Sequence, residues 1–481
     1  MTDLSSAETQ PVEAQPFDFI VIGSGPAGEK AAAHAAYFGK RVALCEKEPY
    51  FGGAAANTGT LPSKTLRETA LYLSGYRQRG LYGIEANLRE RAGVQDFLRR
   101  EKTVREGERK RIGTNLSLHN VTVFHGCASF VDSHHVRVDG DAPVLLRGDK
   151  ILIATGSRPY RPPQFPFDLQ NVYDSDEILS LDDIPDSLVV CGGGVIGCEY
   201  ACMFAALGTR VTVVEKAPEL LSFLDAEISA TLQARMEALG ITFRLSDTIA
   251  TVEIVENEHV RLTLGSGEIV CADTCLVASG RTGNTDRLNL PAANVEVNTR
   301  GQIAVDEFFR TSADHIYAAG DVIGFPALAS TSMEQGRIAA THAFGLGRES
   351  KLAPVLPYGI YTIPEVSVAG LSEEDACAQN LPIVVGRARF VDNARAGIIG
   401  DAHGLLKLVF STPDLRLLGV HLIGEQASEL VHIGLTVLLA NAGADLFLQT
   451  CYNYPTLAET YKAATYDAIH QVQGIGTEAQ A

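Results

Sequence analysis

The sequence predicts an α/β protein with two doubly wound parallel sheets and a smaller C-terminal α+β domain. Two observations support this prediction. The order of buried strand, glycine turn, alanine-rich helix and second strand occurs twice. After about residue 351 the pattern of apolar and polar residues changes. With 481 residues the chain is long enough for two to four domains.

The first strand–helix–strand unit begins close to the N-terminus. Residues 17–23 (FDFIVIG) contain almost no polar side chain, as a strand inside a parallel sheet requires. A glycine turn follows, then a predicted helix over 27–38 that ends at Gly39. The next strand is predicted over 41–46, which completes a unit of about thirty residues.

The same order returns in the middle of the chain. A strand over 188–191 precedes a turn over 192–197, and the helix over 195–207 ends at Gly208. A strand over 210–215 follows. The sequence therefore predicts two Rossmann-like folds in one chain.

Three further apolar strands end in glycine, and the C-terminal region has a different pattern. The strands are predicted over 151–156 (ILIATG), 275–280 (CLVASG) and 316–320 (IYAAG). Residues 387–420 alternate in short segments separated by turn signals (DNARAG, GDAHG, STPD), which indicates an antiparallel sheet. Two helices are predicted after it, over 428–441 and 457–471.

Composition excludes several classes of function. The net charge of −18 argues against nucleic acid and anionic membranes as partners. No run of about 18 apolar residues occurs, so no spanning helix is expected. Residues 1–16 lack a basic start and an apolar core; they are predicted to be a disordered tail, and the protein is expected in the cytoplasm. The nine cysteines are scattered without a C-x-x-C, which predicts buried reduced thiols and no metal site.

The first glycine turn has the pattern of a dinucleotide site. Gly23 permits a tight turn, Gly25 lets the backbone approach a pyrophosphate, and Gly28 lets the helix pack on the strand. Glu46 lies 23 residues after Gly23 at the end of the second strand, where an acid can bind a ribose diol.

The second turn repeats this spacing. Gly192, Gly194 and Gly197 take the three glycine positions, and Glu215 again lies 23 residues after the first of them. A carboxylate there favours NAD(H) over NADP(H), whose 2′-phosphate it repels. Lys216 beside it could partly offset this charge, or it could be an ordinary solvated lysine.

The chain resembles the pyridine nucleotide–disulfide oxidoreductases over about residues 17–471. The resemblance is carried by seven segments that occur in the family's order: Gly23–Gly28, Gly52-Gly53, Pro62-Ser63-Lys64, Ala154-Thr155-Gly156, Gly192–Gly197, Gly280-Arg281 and Ala319-Gly320-Asp321.

The resemblance implies a site for each of two nucleotides and a homodimer. FAD is expected to be held by Gly23, Gly25, Gly28, Glu46, Gly53, Lys64, Thr155, Gly156, Gly320 and Asp321, the last on the ribityl chain. NAD(H) or NADP(H), as substrate, is expected at Gly192, Gly194, Gly197, Glu215 and Gly280. The expected domains are an FAD-binding domain (17–158 and 284–350), an NAD(P)-binding domain (159–283) and a dimerisation domain (351–481), with assembly beyond the dimer left open.

Two departures from the family pattern bear on the chemistry. Ala55 and Thr60 stand where the family has its redox cysteine pair, so no thiol can take electrons there. Tyr454 stands before Pro455 where the family has a histidine base, although Glu459 remains. A phenol is a poor base at neutral pH. Tyr454 and Glu459 are nevertheless candidate catalytic residues, because they replace the family's His–Glu pair.

One branch of the family, the soluble flavin-dependent pyridine nucleotide transhydrogenases, shows the same loss. The chain resembles this branch in GTLPSK (59–64), NYPT (453–456), YDSD (173–176), VIGCEYA (195–201), GRTGNTD (280–286) and YGIYTIPE (358–365). The branch often keeps the first cysteine, whereas Ala55 stands here.

The resemblance further implies that Lys64 and Glu199 form an ion pair beside flavin N5, where a cation stabilises the reduced flavin. The expected reaction is a ping-pong transfer of hydride between NADPH/NADP⁺ and NAD⁺/NADH through the flavin. Two alternatives remain at this point: an NAD(P)H dehydrogenase that reduces a quinone, dye or metal, and a non-catalytic flavoprotein that serves as a binding partner.

Overall fold

The structure is a computed structural model that describes residues 13–78, 81, 93–255, 259–347 and 351–474. The strands are β1 (Gln15–Ile22), β2 (Val42–Glu46), β3 (Thr122–His125), β4 (Cys127–Phe130), β5 (His135–Asp139), β6 (Val144–Ile153), β7 (Ser157–Pro159), β8 (Val172–Asp174), β9 (Ser187–Cys191), β10 (Arg210–Val214), β11 (Thr242–Arg244), β12 (Ile249–Val255), β13 (His259–Leu264), β14 (Ile269–Ala272), β15 (Thr274–Val277), β16 (Arg281–Gly283), β17 (Ile316–Ala318), β18 (Tyr358–Ile360), β19 (Val366–Gly370), β20 (Ile383–Arg389), β21 (Leu405–Ser411) and β22 (Leu417–Ile423).

The helices are α1 (Pro26–Tyr37), α2 (Gly53–Asn57), α3 (Thr60–Ser74), α4 (Val94–Leu118), α5 (Val195–Ala206), α6 (Ala226–Ala238), α7 (Ala329–Phe344), α8 (Glu373–Ala378), α9 (Ala394–Ile399), α10 (Ala427–Leu439), α11 (Ala444–Gln449) and α12 (Thr460–Gln473). The chain divides into two compact units. The first consists of Met1–Pro62, Thr103–Arg158 and Arg281–Leu352, and the second of Ser63–Lys102, Pro159–Gly280 and Ala353–Ala481.

The first unit is built on a mostly parallel sheet. Its strands follow the order β3-β2-β1-β6, with β17 also parallel to β6, while β4 and β5 extend the sheet in antiparallel fashion. In the centre of the sheet Ile20 lies between Ala43 and Ile151, and all three side chains are fully buried. A strand covered on both faces needs such an apolar run, which is why the sequence pattern identified β1.

The start of β1 corrects one prediction. Most of the predicted tail, residues 1–12, lies outside the described residues. Gln15 and Pro16, however, belong to β1 and lie opposite Leu146 and Arg147 of β6. Glutamine and proline are both common in loops, and both side chains are exposed, but such residues can extend a strand at its exposed end.

The second unit contains a parallel sheet and two antiparallel sheets. The parallel strands follow the order β11-β10-β9-β15-β8, and β12, β13 and β14 form a three-stranded sheet. The predicted C-terminal antiparallel sheet is present with the order β18-β19-β22-β21-β20. Helices α10 and α12 pack on it around Phe410, Phe447 and Tyr461, which are fully buried.

Local differences from the sequence predictions have local reasons. The segment DNARAG, predicted as a turn, contains the start of α9, because the side chain of Asn393 accepts a hydrogen bond from the amide of Ala396 and begins a helix. The long helix α4 and the sheet β12–β14 were not predicted. Residues 99–111 in the middle of α4 are mostly charged, so the helical spacing of the apolar residues at its two ends is interrupted.

A buried cation on β21 joins three acidic side chains of the second unit. The Lys407 ammonium lies 2.8 Å from Asp225, 2.7 Å from Glu373 and 3.2 Å from Glu227, and its side chain is 1% exposed. Asp225 also accepts hydrogen bonds from the amides of Glu227 and Ile228 and thereby caps α6. Burial alone would raise the pKa of Asp225, but the hydrogen bond from Lys407 holds that pKa below its usual value.

We expect Lys407→Met to lower the free energy of unfolding by about 3–5 kcal/mol, because it leaves the buried Asp225 carboxylate without its counter-charge. Urea unfolding followed by circular dichroism measures the change. Lys351→Met is the matched control: Lys351 pairs with Glu307, both side chains are 62% exposed, and a loss below about 1 kcal/mol is expected. Equal losses in the two variants would contradict this account of Lys407.

Candidate functional site

The first glycine turn has a backbone that excludes side chains. Gly23 has φ +105°, and a Cβ there would lie 2.4 Å from the carbonyl oxygen of Ala154. A Cβ on Gly28 would lie 1.9 Å from the carbonyl oxygen of Gly23. Gly25 precedes α1 directly, and a Cβ on it would find only Gly53 within 4 Å, at 3.9 Å. The N-terminal end of α1 is therefore accessible, and its backbone amides can receive a phosphate.

The acid of the first fold holds the turn in place. The buried Glu46 carboxylate accepts hydrogen bonds from the Ser24 amide (2.9 Å), the Ser24 hydroxyl (2.6 Å) and the Glu48 amide (2.9 Å). The Ser24 hydroxyl also accepts a hydrogen bond from the Gly52 amide at 3.0 Å. Ser24 was missed by the sequence reasoning, since a serine inside a glycine turn carries no distinct signal.

The other residues predicted for the first nucleotide follow β6 and β17 in the first unit. Thr155 and Gly156 come directly after β6, and the Gly320 amide donates to Gln335 Oε1 at 2.8 Å. The Thr155 hydroxyl is buried and has no hydrogen-bond partner among the described residues. A buried hydroxyl of this kind calls for a partner, which a bound ligand would supply.

Asp321 begins a 3₁₀ turn just after β17, and its carboxylate accepts a hydrogen bond from the Ser157 hydroxyl at 2.9 Å. Arg281 donates to the same hydroxyl at 2.8 Å and to the Ser157 carbonyl at 2.8 Å. Neither Ser157 nor the guanidinium of Arg281 was predicted to take part. Together they fix the orientation of the Asp321 side chain.

The second glycine turn repeats the geometry of the first. Gly192 has φ +118°, and a Cβ there would lie 2.6 Å from the Ala278 carbonyl oxygen. A Cβ on Gly197 would lie 1.9 Å from the Gly192 carbonyl oxygen, the same distance as in the first turn. Gly194 precedes α5 and has open space around it. The N-terminal end of α5 is thus accessible like that of α1, and its backbone amides can receive a phosphate.

Glu215 holds the second turn as Glu46 holds the first. Its carboxylate accepts hydrogen bonds from the Gly193 amide at 2.6 Å and the Ala217 amide at 2.8 Å. A Cβ on Gly193 would lie 2.8 Å from Leu220 Cδ2 and 3.1 Å from the Glu215 side chain, so a larger residue would require these side chains to shift. Lys216 is exposed beside it, and Gly280 follows β15 with φ +103° and open space around it.

The structure places Lys64 and Glu199 in contact although 135 residues separate them. The Lys64 ammonium donates to both carboxylate oxygens at 2.8 and 2.9 Å. The Lys64 side chain is 27% exposed and the Glu199 side chain 5%. The backbone amide of Tyr361 donates to the same carboxylate at 2.9 Å. This arrangement holds a half-exposed cation in a fixed position.

Tyr454 and Glu459 are not brought together in this way. Tyr454 is 75% exposed and precedes a cis peptide bond to Pro455. Glu459 ends the 3₁₀ turn before α12. Among the described residues no hydrogen bond joins their side chains.

Positions 55 and 60, where the family has its redox cysteine pair, carry no sulfur atom. Ala55 is in α2 and Thr60 begins α3. All nine cysteines are free, and five of them are buried, which agrees with the prediction of buried thiols for these five: Cys45, Cys191, Cys198, Cys202 and Cys275. Burial raises the pKa of the Cys45 and Cys202 thiols to about 12. Cys271, Cys377 and Cys451 are exposed, which the apolar sequence context did not indicate.

The described part of the chain shows neither a cluster of metal ligands nor a membrane-spanning helix. Within it, no group of three or more His, Cys, Asp or Glu side chains is arranged to hold a metal ion. No helix in those same ranges has the length and apolar character needed to cross a membrane.

Comparison with known proteins gives high similarity over nearly the whole chain. The chain is 46% identical over 462 residues to the "Soluble pyridine nucleotide transhydrogenase" of Mycobacterium bovis (strain BCG / Pasteur 1173P2), covering 95% of this chain and 98% of that one. It is 42% identical over 463 residues to the protein of the same name from Pseudomonas putida (strain W619), covering 95% and 99%.

Solved structures have the same fold. The HOCl-induced flavoprotein disulfide reductase RclA from Escherichia coli has a TM-score of 0.84 at 29% identity, covering 93% of this chain and 99% of that one. LpdA from Mycobacterium tuberculosis has a TM-score of 0.87 at 26% identity, covering 94% and 99%.

The family comparison agrees with the motifs. Residues 17–336 match the family described as "Pyridine nucleotide-disulphide oxidoreductase", and residues 356–465 match its dimerisation domain. The resemblance predicted from the sequence is confirmed: this chain belongs to the pyridine nucleotide-disulphide oxidoreductase family.

Proposed function

We propose that the protein is an FAD-dependent oxidoreductase that transfers hydride between NADPH/NADP⁺ and NAD⁺/NADH. The observation that carries the proposal is the pair of glycine turns, each held by a carboxylate, in a chain without thiols at positions 55 and 60. Two nucleotides can bind, and positions 55 and 60 offer no dithiol that would compete for the electrons. The similar proteins named as soluble pyridine nucleotide transhydrogenases support the same reaction.

The first turn is proposed as the FAD site. Bound there, FAD would supply the group that accepts a hydride from one nicotinamide and returns it to another, in a ping-pong order. The α1 amides beyond Gly25 would bind the pyrophosphate and Glu46 the ribose diol. The buried Thr155 hydroxyl without a partner and the oriented Asp321 carboxylate would bind further polar groups of the cofactor.

The second turn is proposed as the site of the nicotinamide dinucleotides, with Gly194 and α5 at the pyrophosphate and Glu215 at the adenosine ribose. Lys64, held by Glu199, would stabilise the negative charge that reduction places on the cofactor. Tyr454 and Glu459 would take the place of the family's His–Glu pair without acting as a base.

The chain's organisation is part of the proposal. We propose an FAD-binding domain of residues 17–158 and 284–350, an NAD(P)-binding domain of 159–283 and a dimerisation domain of 351–481. The match of residues 356–465 to the dimerisation domain of the family supports a homodimer. A cytoplasmic location is also proposed.

The decisive test is transfer of hydride from NADPH to thionicotinamide NAD⁺, whose reduced form absorbs at a wavelength of its own. We expect turnover that pretreatment with iodoacetamide leaves intact, because positions 55 and 60 carry no sulfur. The same assay with a quinone in place of the NAD⁺ analogue separates the alternative of an NAD(P)H dehydrogenase. Rapid quinone reduction without transfer to the analogue would overturn the proposal.

Asp321→Ala is expected to lose bound flavin, because the substitution removes a carboxylate that Ser157 and Arg281 hold in a fixed orientation. The ratio of flavin to protein absorbance after purification measures occupancy. Asp314→Ala is the matched control, since the Asp314 side chain is 92% exposed. Full flavin occupancy in Asp321→Ala would show that this carboxylate does not bind the cofactor.

Glu215→Ala is expected to shift the ratio of the NADH and NADPH dissociation constants several-fold in favour of NADPH, about 1 kcal/mol per charge contact near the surface. The substitution also removes the hydrogen bonds from the Gly193 and Ala217 amides, which loosens the turn for both nucleotides alike, so the ratio is the readout. The carboxylate accepts hydrogen bonds from the ribose diol but repels a 2′-phosphate. Titration of both nucleotides measures the two dissociation constants.

Glu219→Ala, in the same exposed segment, controls for loss of a negative charge nearby. Flavin content should stay unchanged in both variants. A ratio of the two constants equal to that of the unsubstituted protein would mean that Glu215 does not face the ribose.

A further inference from the structure

The side chains of Lys64 and Arg67, both on α3, contact the same loop of the second unit. Lys64 and Arg67 lie one turn apart on the helix, and the loop joins β18 to β19 through residues 361–365. The Arg67 guanidinium donates to the Thr362 carbonyl at 2.9 Å and lies 3.2 Å from the Glu365 carboxylate. Arg67 is 3% exposed in its side chain, so this contact fixes the loop against the helix.

The first residue of this loop contacts both members of the Lys64–Glu199 pair. The Lys64 ammonium lies 4.8 Å from the centroid of the Tyr361 ring. The Tyr361 amide donates to Glu199 Oε1 at 2.9 Å. One residue thus holds the cation through its side chain and the anion through its backbone.

The Tyr361 ring is itself held in place. Burial raises the pKa of the Tyr361 phenol, and the side chain of Ser428, which interacts with the phenol, lowers it in part. The Ser428 hydroxyl donates to Glu365 at 2.7 Å, which connects the phenol to the Arg67 contact. The ring therefore presents a fixed face to the ammonium, whereas the four-carbon stem of a lysine is flexible by itself.

We propose that Tyr361 is a positioning residue that fixes the Lys64 ammonium with its ring and the Glu199 carboxylate with its amide. The inference rests on the proposed role of Lys64 beside the cofactor. The midpoint potential of bound flavin reports that role, because a fixed positive charge favours the reduced form. A residue that only fills space would not change this potential.

The experiment measures the flavin midpoint potential by anaerobic dye titration in the holoprotein and four variants. Lys64→Met sets the reference, and its potential is expected to be more negative than that of the unsubstituted protein. Tyr361→Leu and Tyr361→Met remove the ring face but keep the amide, so each should shift the potential in the same direction by a smaller amount. Tyr361→Phe keeps the ring face and loses only the phenol's interaction with Ser428, so its potential should lie closer to that of the unsubstituted protein than the potentials of the Leu and Met variants.

The other outcomes would each contradict the inference. If Lys64→Met shifts the potential and the Leu and Met variants do not, or if Tyr361→Phe shifts it as far as they do, the inference is overturned. Failure of both the Leu and the Met variant to hold flavin would make Tyr361 a packing residue and overturn it as well. An unchanged potential in Lys64→Met would refute the role of Lys64 and this inference together. The NADPH-to-NAD⁺ assay would then show separately whether the proposed reaction survives.

Discussion

A carboxylate bound to backbone amides fixes each of the two glycine turns. Glu46 and Glu215 stand at or just beyond the ends of β2 and β10 and accept hydrogen bonds from the turns that follow β1 and β9. Hydrogen bonds to a charged acceptor are stronger than those between neutral groups. Because each turn is fixed in this way, the helix after it begins at a defined place with its free amides exposed. In the proposed function, phosphate binding, ribose recognition and the choice between two nicotinamide nucleotides all depend on that starting point.

Much of this arrangement was predictable because it is local. A tight turn with positive φ and a close helix–strand contact both exclude a Cβ, so Gly23, Gly28, Gly192 and Gly197 leave a pattern in the sequence itself. The acid follows at a fixed spacing because one helix and one strand intervene.

The parts that were missed depend on contacts between distant segments. Gln335 binds the Gly320 amide, and a Cβ on Gly336 would lie 2.2 Å from the Ala27 carbonyl oxygen, so α7 packs directly on α1. No spacing in the sequence connects residues 27 and 336. The Lys64–Glu199 pair was foreseen only through the family resemblance, and the part of Tyr361 in it was not foreseen, since it requires the register of β18 and β19.

The 1.9 Å approaches at Gly28 and Gly197 have a consequence for inheritance. Every glycine codon begins with two guanines, and every amino acid that a single-base missense change can introduce there carries a Cβ. Any such change at these codons would drive an atom into a backbone carbonyl group, which no rotamer can relieve. The residue after the first glycine behaves differently, since Ser24 fills it in one turn and Gly193 in the other. The sequences of the two folds can therefore diverge at most positions. At these two codons, among single-base changes, only silent ones keep the close helix–strand contact.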